Sequence, residues 1–214
     1  MNAIWLIRHA QSDSNAGLPT KSPQSTRITD VGEYQAKQLA KLFSASPNRI
    51  VVSRYIRTQL TAAPLLERFA GIPVEEWDVH EFTYLAPIKY AGTTGADRRP
   101  DVRAYWARND PQYIDGDGAE SFEAFIARVD TALHRLTTLN GFTAVFTHGQ
   151  VIRAMLWRML YREDVISAST MEKFYHFRES ASLPNAAVVR CILYEGEMWT
   201  SGVCNPCEHD KITF

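Results

Sequence analysis

Residues 3–15 read AIWLIRHAQSDSN, and this stretch decides the fold. A short apolar run, Ile4 to Ile7, stops at Arg8 and His9 and is followed by small and polar residues. Such a run is typical of a buried strand in a parallel sheet. Ligands of open α/β sheets bind beyond the carboxyl ends of the strands, so Arg8 and His9 occupy positions where chemistry is expected.

The length and charge of the chain limit what it can be. At 214 residues the chain is long enough for one sizeable α/β domain, and we predict a single domain over residues 1–214. Lys and Arg total 23 against 24 Asp and Glu, so no overall field favours nucleic acid or an anionic membrane. The first apolar run is too short for a secretory signal or a membrane span. We therefore predict no nucleic-acid or membrane partner, and any anion site must be local.

The cysteines indicate neither a disulfide framework nor a strong metal site. There are three of them, an odd number, which favours a reducing cytoplasm as the location. Cys204 and Cys207, followed by His209, form a weak candidate metal group, because a fourth ligand is missing and a turn explains the spacing. We predict no metal and no cofactor.

Short strands alternate with helical segments along most of the chain. Residues 49–53 (RIVVS) and Phe142–Phe146 are further buried runs, and each is followed by residues with helical spacing. Residues 186–202 suggest two strands at the sheet edge, joined by a turn at Glu195 and Gly196. The alternation predicts a mostly parallel sheet covered on both faces, a three-layer α/β/α sandwich.

Residues 82–117 interrupt this alternation. They are rich in Gly, Pro and aromatic residues without clean periodicity, and a short helix is predicted around Val102 to Ala107. Long irregular segments of this kind are usually lids or binding loops, so we interpret residues 82–117 as an inserted lid that sets substrate specificity. Arg98 and Arg99 are candidate substrate contacts, with a solvated lid surface as the alternative.

Three of the predicted strands end in residues that carry chemistry: LIRHA, VVSRYIR and VFTHG. If these strands are neighbours, Arg8, His9, Arg57 and His148 converge at one edge. Two guanidinium groups that face one cleft specify a phosphate-like or carboxylate group and disfavour a divalent cation. Their charge should also keep one imidazole neutral at pH 7, as a nucleophile requires.

The helices that follow these strands add a second kind of anion-binding group. The first helical turns after Ser53 and His148 offer free backbone N–H groups and a favourable dipole. Gly149 and Gln150 lie in the second of these turns and are therefore predicted to contact substrate.

Five elements of the chain, taken in order, resemble one known family. They are Arg8-His9-Ala10 with Asn15, Ile28 to Ala36, Ser53 to Ala62, Gly118-Ala119-Glu120-Ser121, and His148 to Arg153. They are similar to the signature elements of the histidine phosphatase superfamily, the phosphoglycerate mutase-like proteins. Ala10 stands where the family usually has Gly, and its methyl group puts the local conformation in question.

The resemblance implies a phosphoglycerate mutase-like fold and a phosphohistidine mechanism. His9 would attack phosphorus, while four residues hold the phosphoryl oxygens: Arg8, Arg57, His148 and Asn15. Glu81 matches the acidic residue that the family keeps after its third strand, and it would protonate the leaving group. Glu75, Glu76 and Asp78 lie close to it in sequence, and alternation along the chain decides which carboxylate faces the cleft.

We therefore predict a phosphomonoesterase that acts on a small phosphorylated metabolite. One alternative is a phosphoglycerate mutase, which uses the same centre but retains the phosphoryl group during exchange. A second is a weakly active module that binds a phosphorylated ligand or a partner. The sequence does not predict the oligomeric state, the substrate's identity or a role for Cys204 and Cys207.

Overall fold

A computed structural model of the chain describes residues 2–161 and 165–207. Within these residues six strands form one sheet in the order β3-β2-β4-β1-β5-β6. The strands are β1 Asn2–Arg8, β2 Arg49–Val52, β3 Val74–Glu76, β4 Phe142–Thr147, β5 Val188–Tyr194 and β6 Glu197–Cys204. The helices are α1 Asp30–Lys41, α2 Ile56–Arg68, α3 Arg99–Arg108, α4 Phe122–Thr137, α5 Gly149–Leu160 and α6 Ala168–Ser180.

The first four strands in chain order are parallel, and β5 and β6 run antiparallel at one edge. The β5–β6 hairpin turns at Glu195 and Gly196, as the sequence predicts, and Glu195 adopts a positive φ of 50° there. The register aligns Arg8 with Thr147 and Val52 with Phe146. Strands β1, β4 and β2 are therefore neighbours whose carboxyl ends share one edge.

Alternation along the strands divides the core between the two faces of the sheet. On one face Ile4, Leu6 and Val145 pack with α4, α5 and α6. On the opposite face Ile7, Ile50 and Phe146 pack with α1 and α2. This arrangement confirms the predicted α/β sandwich with helices on both sides of a mostly parallel sheet.

Residues 82–117 contribute to the first of these cores. Phe82, Leu85, Tyr105 and Trp106 are all buried in the same cluster as α4 and α5. A short 3-10 turn, Pro87–Tyr90, precedes α3, which contains the helix predicted around Val102 to Ala107. The buried apolar side chains of residues 82–117 thus hold this segment against the core.

Helix caps agree with the sequence pattern. The Thr29 side chain accepts a hydrogen bond from Gly32 N at the start of α1, and Ser121 accepts one from Ala124 N at the start of α4. Helix α6 was not predicted, because its buried face consists only of Thr170, Met171 and Phe174. In the described part of the chain no helix is long and apolar enough to cross a membrane.

The contact of α1 with the loop after β1 generates a stability prediction. A Cβ atom at Gly32 would lie on the carbonyl oxygen of Gln11, far inside contact distance, and 3.0 Å from Cβ of Ile28. We expect Gly32→Ala to lower the free energy of unfolding by about 1–3 kcal/mol, since backbone atoms must shift. Urea unfolding measures this change. Gly202→Ala, where no atom lies within 4 Å, should change it by no more than about 0.5 kcal/mol, and an equal loss in both variants would contradict the account.

Candidate active site

The carboxyl ends of β1, β2 and β4 bring the predicted cationic and imidazole groups together. Arg8 is the last residue of β1 and His9 follows it, while His148 is the N-cap of α5 directly after β4. Arg57 lies in the first turn of α2, and its side chain is buried. Arg8, His9, Arg57 and Glu81 line one small cleft, and His148 is buried beside His9.

His9 is held in the tautomer that a nucleophile needs. Its side chain is only 3% exposed, and Nδ1 lies 2.8 Å from the carbonyl oxygen of Ala10. Because a carbonyl only accepts, Nδ1 carries the hydrogen and Nε2 keeps its lone pair. Burial, with the charges of Arg57 and Arg8, lowers the pKa of His9 well below its ordinary value. Neutral His9 therefore offers Nε2 to the cleft.

His148 presents the complementary group, a buried donor. Ser53 Oγ lies 2.7 Å from His148 Nε2 and accepts a hydrogen bond from Tyr55 N. A serine hydroxyl that donates to Nε2 places the hydrogen of a neutral His148 on Nδ1, an atom that is buried without a partner among the described residues. Burial chiefly lowers the pKa of His148. The ring centroids of His9 and His148 are 5.1 Å apart.

Two arginines supply the positive charge of the cleft. Arg57 donates from Nη1 to the carbonyl oxygen of Pro23 at 2.6 Å and lies over the ring of Tyr55. Burial lowers its pKa to about 10, opposed by the charge of Glu81, so it stays cationic at neutral pH. Arg8 donates to the carbonyl oxygen of Leu183, and its buried Nε has no partner in the described chain. Both therefore retain donor capacity for an anion.

Glu81 is the carboxylate that lines this cleft. Its Oε1 accepts from Gln150 N and from Phe82 N, both at 3.1 Å, so it lies at the amino end of α5. The neighbouring carboxylates point elsewhere. Glu75 pairs with Arg135 at 2.7 Å, Glu76 is exposed, and the Asp78 side chain is 80% exposed. Of the four carboxylates close together in sequence, Glu81 is thus the one that lines the cleft.

The five candidate substrate contacts have different environments. Asn15 lines the cleft, and its Oδ1 accepts from Ser12 and Asn185, which leaves the amide nitrogen unused by these bonds. A Cβ at Gly149 would lie 2.9 Å from Arg153 Nη1 and 3.4 Å from Arg8 Nε, so glycine permits this close approach. The backbone N–H of Gln150 is already bonded to Glu81.

Arg98 and Arg99, adjacent in sequence, differ sharply in environment. Arg98 is 6% exposed, and its Nη1 donates at 2.7 Å to Thr93 and at 3.3 Å to Thr20 Oγ1, while the guanidinium stacks on Tyr90 at 4.5 Å. Arg98 thus ties residues 82–117 to the loop after β1. Arg99 is exposed on α3 and does not line the cleft. Direct substrate contact remains a prediction for both.

Sequence reasoning assigned no role to Arg153, although it lies close to the centre. Its Nε donates to the carbonyl oxygen of Ala181 at 2.9 Å, and burial lowers its pKa against the charge of Glu81. The signal was present, because Arg153 follows Gly149 by four residues and so shares its helix face. Ser53 contacts His148 and Tyr90 lines the cleft, and these two contacts follow from the three-dimensional structure.

The cleft has a volume of about 140 Å³. A water molecule in the liquid occupies about 30 Å³, so there is room for a phosphoryl group and a small part of its ester. Ala10 is fully buried, donates its N–H to Thr61 Oγ1 at 3.0 Å, and is not among the residues with positive φ. The alanine in place of glycine is therefore accommodated without backbone strain.

No cluster of three or more His, Cys, Asp or Glu side chains suited to a metal occurs in the described ranges. Of the weak candidate group, Cys204 is half-buried and Cys207 is exposed. His209, its third member, lies outside the described residues.

Three buried neutral histidines, His9, His80 and His148, generate a pH prediction. Burial is the largest cause of the lowered pKa in each, and it brings that of His80 to about 3. In the unfolded chain each titrates near 6.5, so below that pH the unfolded chain binds protons that the folded chain does not. We expect the free energy of unfolding to fall as pH drops below about 6.5, by about 1.4 kcal/mol per pH unit for each histidine.

Urea unfolding at a series of pH values measures this slope. His80→Gln should reduce the slope by the share of one histidine, whereas His134→Gln, at an exposed position, should leave it unchanged. A free energy of unfolding that does not vary between about pH 6.5 and 5 would contradict the buried, neutral state.

Comparison with known proteins extends the likeness beyond the site. The family model of the histidine phosphatase superfamily (branch 1) matches residues 4–199. An adenosylcobalamin/alpha-ribazole phosphatase of Salmonella typhi is 24% identical over 181 residues, which are 82% of this chain and 84% of that protein.

Solved structures show the same fold. A putative alpha-ribazole-5'-P phosphatase from Escherichia coli superimposes with a TM-score of 0.73 at 23% identity, covering 96% of this chain and 98% of the other. A phosphoserine phosphatase mutant from Entamoeba histolytica, in complex with phosphoserine, gives a TM-score of 0.71 at 18% identity with the same coverage. The family match covers nearly the whole chain, including the residues that line the cleft, and the chain therefore belongs to the histidine phosphatase superfamily and is an enzyme of the phosphatase class.

Proposed function

We propose that this protein is a phosphomonoesterase that acts on a small phosphorylated metabolite through a phosphohistidine on His9. One observation carries the proposal: Nε2 of a buried, neutral His9 faces a cleft lined by two arginines, and the ring of His148 lies behind it at 5.1 Å, with Nδ1 unpartnered among the described residues. This arrangement supplies a nucleophile, together with positive charge and hydrogen-bond donors for a phosphoryl group. It requires neither a metal nor a cofactor for the steps below.

In the first step Nε2 of His9 attacks phosphorus in line. The N–P bond forms and the ester P–O bond breaks, while Arg8, Arg57, His148 and the amide of Asn15 hold the phosphoryl oxygens. Glu81, a carboxylate in the free enzyme, takes a proton from the monoanionic ester as it binds and gives it to the leaving alkoxide. Positioning and fixed positive charge provide most of the rate acceleration, as in phosphoryl transfer generally.

In the second step water replaces the departed alcohol. Glu81, now a carboxylate, accepts a proton from the attacking water, and the N–P bond breaks to release inorganic phosphate. His9 returns to the neutral tautomer that the carbonyl of Ala10 selects, and Glu81 passes its proton to the departing phosphate and is a carboxylate again. The enzyme is thus unchanged after one turnover.

We further propose that the chain is one domain in which residues 82–117 form the lid that sets specificity. Tyr90, Phe82 and Thr83 of this segment line the cleft, and Arg98 fastens it to Thr20 on the opposite loop. The part of the substrate that extends beyond the phosphoryl group contacts these side chains. A cytoplasmic location and the absence of nucleic-acid partners stay predictions from cysteine content and charge.

A panel of phosphate esters tests the reaction class. It includes phosphoserine, alpha-ribazole 5'-phosphate and 3-phosphoglycerate, in keeping with the named relatives and the mutase alternative. We expect release of inorganic phosphate, and a drop of at least about 10³-fold in kcat for His9→Ala, because the nucleophile is lost. His134→Gln is the matched control, since His134 lies on the exposed face of α4.

Two results would contradict the proposal. Isomerisation of 3-phosphoglycerate without net phosphate loss would identify a mutase. Binding of phosphate esters without turnover would identify a phospho-ligand module.

A further inference from the structure

Glu81 lies on irregular backbone. Residues 77–86, between β3 and the 3-10 turn, form neither helix nor strand. A catalytic side chain on such a segment must be held by other groups, since productive geometry tolerates only about 0.5 Å of error. The side-chain bonds of Glu81 itself run to backbone N–H groups, so its placement depends on how that backbone is fixed.

An ion pair that contacts the backbone of this segment has no role in the reaction described above. Arg128 of α4 forks onto Glu120, with Nη2 2.6 Å from Oε1 and Nε 2.8 Å from Oε2. The two side chains are only 14% and 17% exposed. Glu120 belongs to the Gly118-Ala119-Glu120-Ser121 element, to which the reaction assigns no role.

The pair holds the backbone on both sides of Glu81. Arg128 donates from Nη1 to the carbonyl oxygen of Asp78 at 3.0 Å. Glu120 accepts from Thr83 N at 3.0 Å, and its own N–H donates to the carbonyl oxygen of Thr83 at 2.9 Å. Asp78 lies three positions before Glu81, and Thr83 lies two positions after it.

Thr83 carries this restraint to the cleft. Its Oγ1 lies 3.2 Å from the carbonyl oxygen of Glu81 and 2.8 Å from the hydroxyl of Tyr55, which lines the cleft. A shift of Thr83 therefore moves the backbone of Glu81, while Tyr55 is also held by the fold around β2 and α2. Hydrogen bonds thus link the Arg128–Glu120 ion pair to the backbone of Glu81.

We propose that Glu120 and Arg128 are positioning residues that aim the carboxyl group of Glu81 at the leaving oxygen by fixing the backbone at Asp78 and Thr83. This inference rests on the proposed function, in which Glu81 is the general acid. Neither side chain contacts substrate. Their loss acts on protonation of the leaving group and leaves the nucleophile and phosphoryl site in place.

Leaving-group dependence tests this role. The variants are Glu120→Gln and Arg128→Lys, and kcat/KM reports the steps through release of the first product. For an alkyl phosphate, whose alkoxide needs a proton, we expect a loss of about 10- to 100-fold, since small misplacement of a catalytic group has effects of this size. For p-nitrophenyl phosphate, whose leaving group departs without a proton, we expect a change of less than about threefold.

The chain offers a matched control on the same helix. Arg135 pairs with Glu75 at 2.7 Å and lies over the ring of Trp77, away from the backbone at Asp78 and Thr83. Glu75→Gln and Arg135→Lys should leave kcat/KM unchanged for both substrates. They remove an ion pair that contacts the side chain of Trp77 but forms no hydrogen bond to the backbone at Asp78 or Thr83.

Glu81→Gln separates the two levels of the proposal. A large loss confined to the alkyl phosphate supports Glu81 as the acid. If that loss occurs but Glu120→Gln and Arg128→Lys show none, or lose equally on both substrates, the positioning role is overturned and the proposed function stands. If Glu81→Gln does not discriminate between the substrates, the acid role fails, and the positioning role fails with it.

Folding defects are controlled by a second design. The double variant Glu120→Leu, Arg128→Met replaces the pair with apolar side chains of similar volume, an exchange that often keeps or raises stability. It must show the same selective loss on the alkyl phosphate at an unchanged melting temperature. Wild-type activity on the alkyl phosphate in this variant would overturn the positioning role.

Discussion

The hydrogen bond from His9 Nδ1 to the carbonyl oxygen of Ala10 is the interaction on which the rest of the site depends. It fixes the ring orientation and the tautomer at once, so that Nε2 faces the cleft with a lone pair. Burial and two neighbouring arginines lower the pKa of this imidazole and keep it neutral. Without that bond the same charges would still repel a proton, but either ring nitrogen could carry the remaining hydrogen.

The second constraint is electrostatic. Arg8 and Arg57 are buried beside each other, and burial is the largest cause of the lowered pKa in both. The negative charge of Glu81 raises the pKa of both arginines and so opposes the effect of burial. One carboxylate against two guanidinium groups leaves net positive charge in the cleft, which favours a phosphoryl dianion. In the proposed reaction the same carboxylate also transfers the proton of the leaving group.

The sequence predicted the parts of the site that follow directly from strand ends. Apolar runs that stop at Arg8, Ser53 and His148 required only that β1, β2 and β4 be neighbours, and the sheet order makes them so. Family resemblance selected Glu81 where alternation alone left four carboxylates open.

Other features depend on contacts between residues far apart in the chain, and local patterns do not encode them. Arg98 gains its environment only because residues 82–117 fold back onto Thr20. The N–H of Gln150 is taken by Glu81, a pairing across 69 residues of chain that strand-end reasoning does not reach. Long-range hydrogen bonds of this kind complete the site that the strand ends begin.

The stereochemical course at phosphorus tests the central claim most directly. The substrate is a thiophosphate ester made chiral at phosphorus with two oxygen isotopes, turned over in water that carries the third isotope. Two in-line transfers, first to His9 and then to water, each invert the configuration, so the account predicts overall retention in the released thiophosphate. Inversion would show a single direct attack by water and would contradict a phosphohistidine intermediate.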